Sequence, residues 1–156
     1  MSYFFQSGIK LVGDGTRFSG TLGQVELYCM VVQSNSVLVS NPTLCKQADN
    51  LSAISSLGAI NEVSVTGYTT GGADLGQINA TVDDANSKVT YTPAAATSWS
   101  LSGASQTAGG LLIYYKTDAA ATDIPIAFID TGGISGAQFG GSFTINWTSI
   151  FVGVAG

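Results

Sequence analysis

Apolar and polar residues alternate with a period of two through most of the second half of this chain. Residues 77–83 set Ile78, Ala80 and Val82 against Asn79, Thr81 and Asp83, the pattern of a half-buried strand. Asp84, Ala85, Asn86 and Ser87 have turn chemistry, and residues 88–92 resume the alternation with Val89 and Tyr91. The two runs predict a hairpin. Residues 98–102 share Trp99 and Leu101 on one face, and residues 142–147 set Phe143, Ile145 and Trp147 against Ser142, Thr144 and Asn146. Residues 25–32 are almost continuously apolar and predict a central strand, residues 110–116 predict a buried strand, and residues 125–130 predict another, ended by Gly132 and Gly133. Residues 150–154 predict a last strand. Residues 36–40 predict a short one, broken by Pro42.

Only one stretch has a helical period. Leu51, Ile54 and Leu57 share a face, Asp49 or Asn50 is placed to cap the start, and Gly58 to end it. Residues 1–24 carry Gly8, Gly13, Gly15, Gly20 and Gly23 among scattered apolar residues and read as an extended N-terminal arm with one or two short strands. Tyr3, Phe4 and Phe5 at its end are predicted to grip a neighbouring subunit; packing on their own domain is the alternative. With about seven to nine short strands and turn signals every 8–12 residues or so, the pattern predicts an all-β fold. The expected arrangement is an antiparallel β-sandwich, jelly-roll-like, over residues 25–156, with the arm at 1–24 and at most one short helix.

Composition then narrows the function. The chain has no histidine and only 10% charged residues. It therefore lacks the usual proton carrier of neutral-pH catalysis and the commonest transition-metal ligand. Hydrophobic residues make up 45% and mean hydropathy is +0.31. No run reaches the roughly 20 apolar residues of a membrane-spanning helix, so the excess points to surface covered by other subunits. Net charge is −5, and Lys10, Arg17, Lys46, Lys88 and Lys116 are dispersed, which argues against nucleic acid as a partner. The first ten residues lack the basic and apolar regions of a secretory leader. Cys29 and Cys45 read as free, partly buried thiols more readily than as a bridge, and a bond between them stays open.

Candidate chemistry is sparse. A glycosidase needs two facing carboxylates; Glu62 with Glu26 or Asp130 is the pair available, and surface carboxylates are the plainer reading. Asp83, Asp84 and Asn86, or Asp118 with Asp123, offer oxygens for calcium without the spacing of a calcium loop. With no histidine, a serine nucleophile needs a lysine, and no Ser-x-x-Lys occurs. These readings predict no enzyme, no cofactor and no metal. Trp99 and Trp147 fall on apolar strand faces and read as core.

The segment Asn61-Glu62-Val63-Ser64-Val65-Thr66-Gly67-Tyr68-Thr69-Thr70-Gly71-Gly72 is similar to the Asn-Glu-Val-x-x-x-Gly-Tyr-x-x-Gly-Gly segment of a family of small structural proteins from tailed bacteriophages. The order of the elements C-terminal to it also resembles that family: a hairpin, a Trp strand at Trp99, the apolar strand with Tyr114 and Tyr115, a run from Pro125 to Gly133, and Phe143-Thr144-Ile145-Asn146-Trp147. The likeness covers about residues 25–154; the arm lies outside it, and the loop 118–122 is longer. The resemblance implies a capsid decoration (cement) protein, without catalysis, on the outer surface of the virion. Its partners would be the major capsid protein and copies of itself, with no membrane and no nucleic acid. A tail or head–tail structural protein is one alternative, and a carbohydrate- or receptor-binding β-sandwich module another. Within the segment, Glu62, Gly67, Tyr68, Gly71 and Gly72 are expected to shape a turn-rich connection, with Glu62 capping or bridging backbone groups.

Overall fold

The computed structural model describes residues 1–8, 27–76, 78–83, 85, 88–101, 106–134, 142–146 and 151–154. The described chain is mostly β, in antiparallel sheets, with several short helices. Its strands are β1 (Tyr3–Phe4), β2 (Leu27–Gln33), β3 (Ala73–Asp74), β4 (Ile78–Asp83), β5 (Lys88–Pro93), β6 (Thr97–Ser100), β7 (Ala108–Tyr115), β8 (Ile124–Ile134), β9 (Ser142–Ile145) and β10 (Phe151–Val154). Between β2 and β3 lie three helices, α1 (Val37–Ser40), α2 (Pro42–Cys45) and α3 (Leu51–Leu57).

The centre is a five-stranded sheet in the order β1-β8-β7-β2-β3. In β2, Leu27, Cys29 and Val31 join one hydrophobic cluster while Met30 and Val32 join another. In β7, Leu111 and Ile113 belong to the first cluster, Leu112 and Tyr114 to the second. These two strands read as unbroken apolar runs because both of their faces are covered. The helices cover one face, through Val37, Leu38, Cys45, Leu51 and Ile54. The other face packs against Val63, Leu75, Ile78, Trp99 and Leu101. The predicted hairpin is β4 paired with β5, from Ile78↔Pro93 to Asp83↔Lys88, with β10 added on the far side of β5. Strands β6 and β9 make a separate pair, Trp99 opposite Phe143.

One expectation needs correction, the limit of one short helix. Residues 36–40, predicted as a strand, form α1: the Ser36 hydroxyl accepts the Leu38 amide at 3.2 Å, and Val37 and Leu38, neighbours in sequence, are both buried. Alternation cannot bury two consecutive residues on one side of a strand, whereas a helical turn can. The α3 helix follows the predicted period, with Asn50 as its cap, the side chain accepting the Ala53 amide at 2.8 Å.

The N-terminal aromatics take the second of the two expected courses in part, packing on their own domain. In residues 1–8, β1 is an edge strand of the central sheet, with Tyr3↔Phe128 and Phe4↔Ala127 in register. The Phe5 amide donates to the Ile126 carbonyl at 3.0 Å. Tyr3 and Phe5 are buried in the chain's own helical-side core, where Tyr3 packs on both Phe5 and Phe128. Of the three aromatics expected to grip a neighbour, only Phe4 is exposed. Residues 9–24 of the predicted arm lie outside the described residues, as does Trp147.

Candidate functional site

Strand β3 pairs with β2 only at Tyr28↔Asp74 and Cys29↔Ala73. Beyond that point the edge of β2 would expose backbone donors and acceptors, and a buried one left unpaired is costly. The segment 61–72 closes this edge without forming a strand. The Val63 amide donates to the Val31 carbonyl at 2.9 Å, and the Gln33 amide donates to the Asn61 carbonyl at 2.8 Å. The Val31 amide has no strand partner on this side; it donates to the Tyr68 hydroxyl at 2.9 Å.

That hydroxyl donates in turn to Glu62 Oε1 at 2.8 Å, and the same oxygen accepts the Gly71 amide at 2.7 Å. The Gly72 amide donates to the Thr69 carbonyl at 2.9 Å, closing the four-residue turn Thr69–Gly72. On the far side of the turn the Tyr114 hydroxyl donates to the Gly71 carbonyl at 2.6 Å. One carboxyl, two phenols and a four-residue turn thus form a clasp on the edge of β2. The glycines are set by the same geometry. Gly67 and Gly72 have φ of 86° and 78°, a region that side chains disfavour. A Cβ would run into the Ser100 carbonyl oxygen at Gly67 and the Cys29 carbonyl oxygen at Gly72. The Tyr68 ring lies 5.8 Å from that of Trp99, which is itself buried.

Burial dominates the electrostatics. It pushes the Glu62 carboxyl above the usual carboxylate range, against the lowering effect of the Tyr68 and Gly71 donors. Tyr68 and Tyr114 are both pushed well above the usual phenol range, first by burial and then by nearby acidic groups, Glu62 among them. In this arrangement each group holds another in place.

The carboxylate pair suggested by the sequence is not brought together. Glu62 bridges Val32, Val32 pairs with Gly110, and Gly110 with Asp130. They sit in one rank, three strand spacings apart, or about 14 Å at about 4.8 Å per spacing. Facing carboxyls of glycosidases are about 5–9.5 Å apart. Glu26, the other partner considered, lies outside the described residues.

The oxygen-rich loops also have local tasks. Asp123 is buried and accepts the Thr117 amide at 2.8 Å and the Thr117 hydroxyl at 3.1 Å, closing the loop before β8. Asp118 is exposed, and Asp84 and Asn86 lie outside the described residues. Among the described residues no three His, Cys, Asp or Glu gather as a metal site. Cys29 and Cys45 are free and buried, one on each side of the central sheet.

Tyr114 and Val31 are the members of the clasp that sequence reasoning missed. Both sit in continuously apolar strands, and nothing local marks a phenol or an amide there as paired with residues far along the chain. The chain has no match among known family models, curated proteins or solved structures.

Proposed function

We propose that this chain is a structural protein of a tailed-bacteriophage virion, a decoration protein that binds the major capsid protein on the outer shell. The observation that carries the reading is the clasp. Glu62, Gly67, Tyr68, Gly71 and Gly72, on which the likeness to that family rests, form one hydrogen-bonded unit that closes a sheet edge. A segment whose residue types are fixed by folding is what a family of structural proteins would hold in common. The fold in this reading is a jelly-roll-like sandwich in which the β6–β9 pair packs over the central sheet. The protein works without catalysis or cofactor, by many weak contacts added over many copies.

The carbohydrate-module alternative loses support, because Trp99 is buried and stacked on Tyr68 rather than displayed. The deciding experiment is a cryo-EM reconstruction of the particle that carries this chain, with copy number measured by quantitative mass spectrometry. Hundreds of copies on the icosahedral shell are expected. A few copies along the tail axis would overturn the capsid position in favour of the tail, and absence from the particle would overturn the virion reading.

A further inference from the structure

Residues 3–8 run between two walls of the molecule. One wall is β8: β1 pairs with it, and the Phe5 amide donates to the Ile126 carbonyl at 3.0 Å. The other is the connection between α2 and α3, where the Lys46 carbonyl accepts the Gln6 amide at 2.9 Å. The Ser7 hydroxyl lies 3.1 Å from a carbonyl oxygen on each wall, Ala48 and Pro125. Tyr3 and Phe5 fill the helical side of the groove, and the Tyr3 hydroxyl donates to the Leu38 carbonyl at 3.0 Å. Phe4 alternates with them and is exposed. At Gly8 the groove is narrow: a Cβ there would lie 2.6 Å from the Ile126 Cα, so a larger residue does not fit.

A sheet edge takes up a peptide through these same features. Main-chain hydrogen bonds supply affinity, and pockets for alternate side chains supply selectivity. Each hydrogen bond named above joins residues at least 35 positions apart, so none depends on the covalent joint after Gly8. Residues 9–26 join Gly8 to Leu27. A stretch of that length reaches up to about 60 Å, whereas β1 lies three strand spacings from β2, or about 14 Å. The joint therefore leaves the position of residues 3–8 open, and the groove sets it.

We propose that β8 and the α2–α3 connection form a peptide-binding site, and that residues 1–8 are its tethered ligand. The class of ligand is a peptide extended through an aromatic-x-aromatic triplet and closed by a small pair, here Ser7 and Gly8. A free peptide of the same sequence takes the place of the tethered one. The inference is independent of the virion reading.

The test uses the full chain with a protease site introduced after Gly13 and cut once the protein has folded. The probe is a synthetic peptide of residues 1–12 with a dye at its C-terminal end, followed by fluorescence anisotropy. Binding is brought to equilibrium in dilute urea, so that slow release is not mistaken for none. The cut protein is expected to keep its segment through gel filtration, to keep its melting transition, and to exchange the segment for the probe saturably. The uncut protein should bind the probe about a hundredfold more weakly or worse, because the tethered segment competes at a high effective concentration. A Phe5→Ala peptide should also bind about a hundredfold more weakly, and a Gly8→Val peptide about tenfold more weakly. A Phe4→Ala peptide should bind about as well as the original. These substitutions are in the peptide, so none of them stops the protein from folding. A cut protein that unfolds and is not restored by the peptide would overturn the proposal. So would a cut protein that holds its segment without exchanging it, or peptides that bind alike whatever stands at positions 5 and 8.

Discussion

The Tyr68 hydroxyl occupies the place of a strand partner for Val31, accepting its amide at 2.9 Å while donating to Glu62 at 2.8 Å. Tyr68→Phe keeps the ring against Trp99 but leaves a buried backbone donor unpaired and removes one donor from Glu62. A loss of about 2–3 kcal/mol is expected. In urea titrations it should appear as a lower midpoint with an unchanged slope, since the exposed surface on unfolding is unaltered. A variant within about 0.5 kcal/mol of wild type would mean that the Val31 amide finds another acceptor.

Glu62 makes stability depend on pH with an unusual sign. Its folded-state carboxyl is raised above its unfolded value, chiefly by burial. The folded state therefore holds the proton more tightly. The stabilisation from protonation is fully present below the unfolded value of about 4.3 and is lost as pH rises through the folded value. Glu62→Gln keeps an acceptor for the Tyr68 hydroxyl and the Gly71 amide without a charge to desolvate. Its stability at neutral pH should equal or exceed that of wild type, and the wild-type gain on mild acidification should vanish. Glu62→Ala should be destabilised at every pH. A wild-type midpoint that only falls on acidification, in parallel with Glu62→Gln, would contradict this assignment.

Gly72 and Gly76 both have positive φ, 78° and 63°, but their surroundings differ. A Cβ at Gly72 collides with the β2 backbone at Cys29 and Met30, whereas one at Gly76 meets nothing within 4 Å. Gly76→Ala should cost only the backbone term, about 1–2 kcal/mol. Gly72→Ala should cost about 4 kcal/mol or more, because β2 itself has to move. Equal losses in thermal or urea unfolding would show that the loop relaxes away from β2.

How far the fold is legible in the sequence depends on how local its causes are. The β4–β5 hairpin and α3 follow from alternation, turn residues and an asparagine cap, all within a few positions of each other. The α1 helix does not: Val37 and Val39 favour strands by residue type, and what overrides them is the Ser36 cap together with a sheet face waiting to be covered. A two-residue strand such as β1 has no period to read. In the clasp, the glycines and Glu62 mark a turn by composition alone. The edge that the turn serves is set by pairings between residues 31 and 63 and between 71 and 114, and no local pattern encodes these.

The thiols offer a simple probe of the two cores. Cys29 and Cys45 are buried on opposite sides of the central sheet, and burial pushes both thiols above their ordinary range. A thiolate is the reactive form. Neither should react appreciably with an aromatic disulfide reagent in the native state, and both should titrate in denaturant. The melting temperature should be the same with and without reductant. Fast reaction of one thiol in the native protein would show that its face of the sheet is open.

Phe4 and Phe5 are adjacent in sequence and have opposite fates. Phe5 is fully buried with Tyr3 and Phe128 in the helical-side core, while Phe4, on the other side of the edge strand, is 43% exposed. Phe5→Ala removes a whole ring from a packed site and should cost about 3–5 kcal/mol. Phe4→Ala should stay within about 1 kcal/mol. The contrast decides whether the N-terminal aromatics belong to the fold of one chain. If both substitutions leave the urea midpoint unchanged, the β1 segment contributes nothing to stability, and gripping a neighbour becomes the better account of all three aromatics. If only Phe5→Ala lowers it, Tyr3 and Phe5 are core residues and Phe4 alone is left to meet a partner.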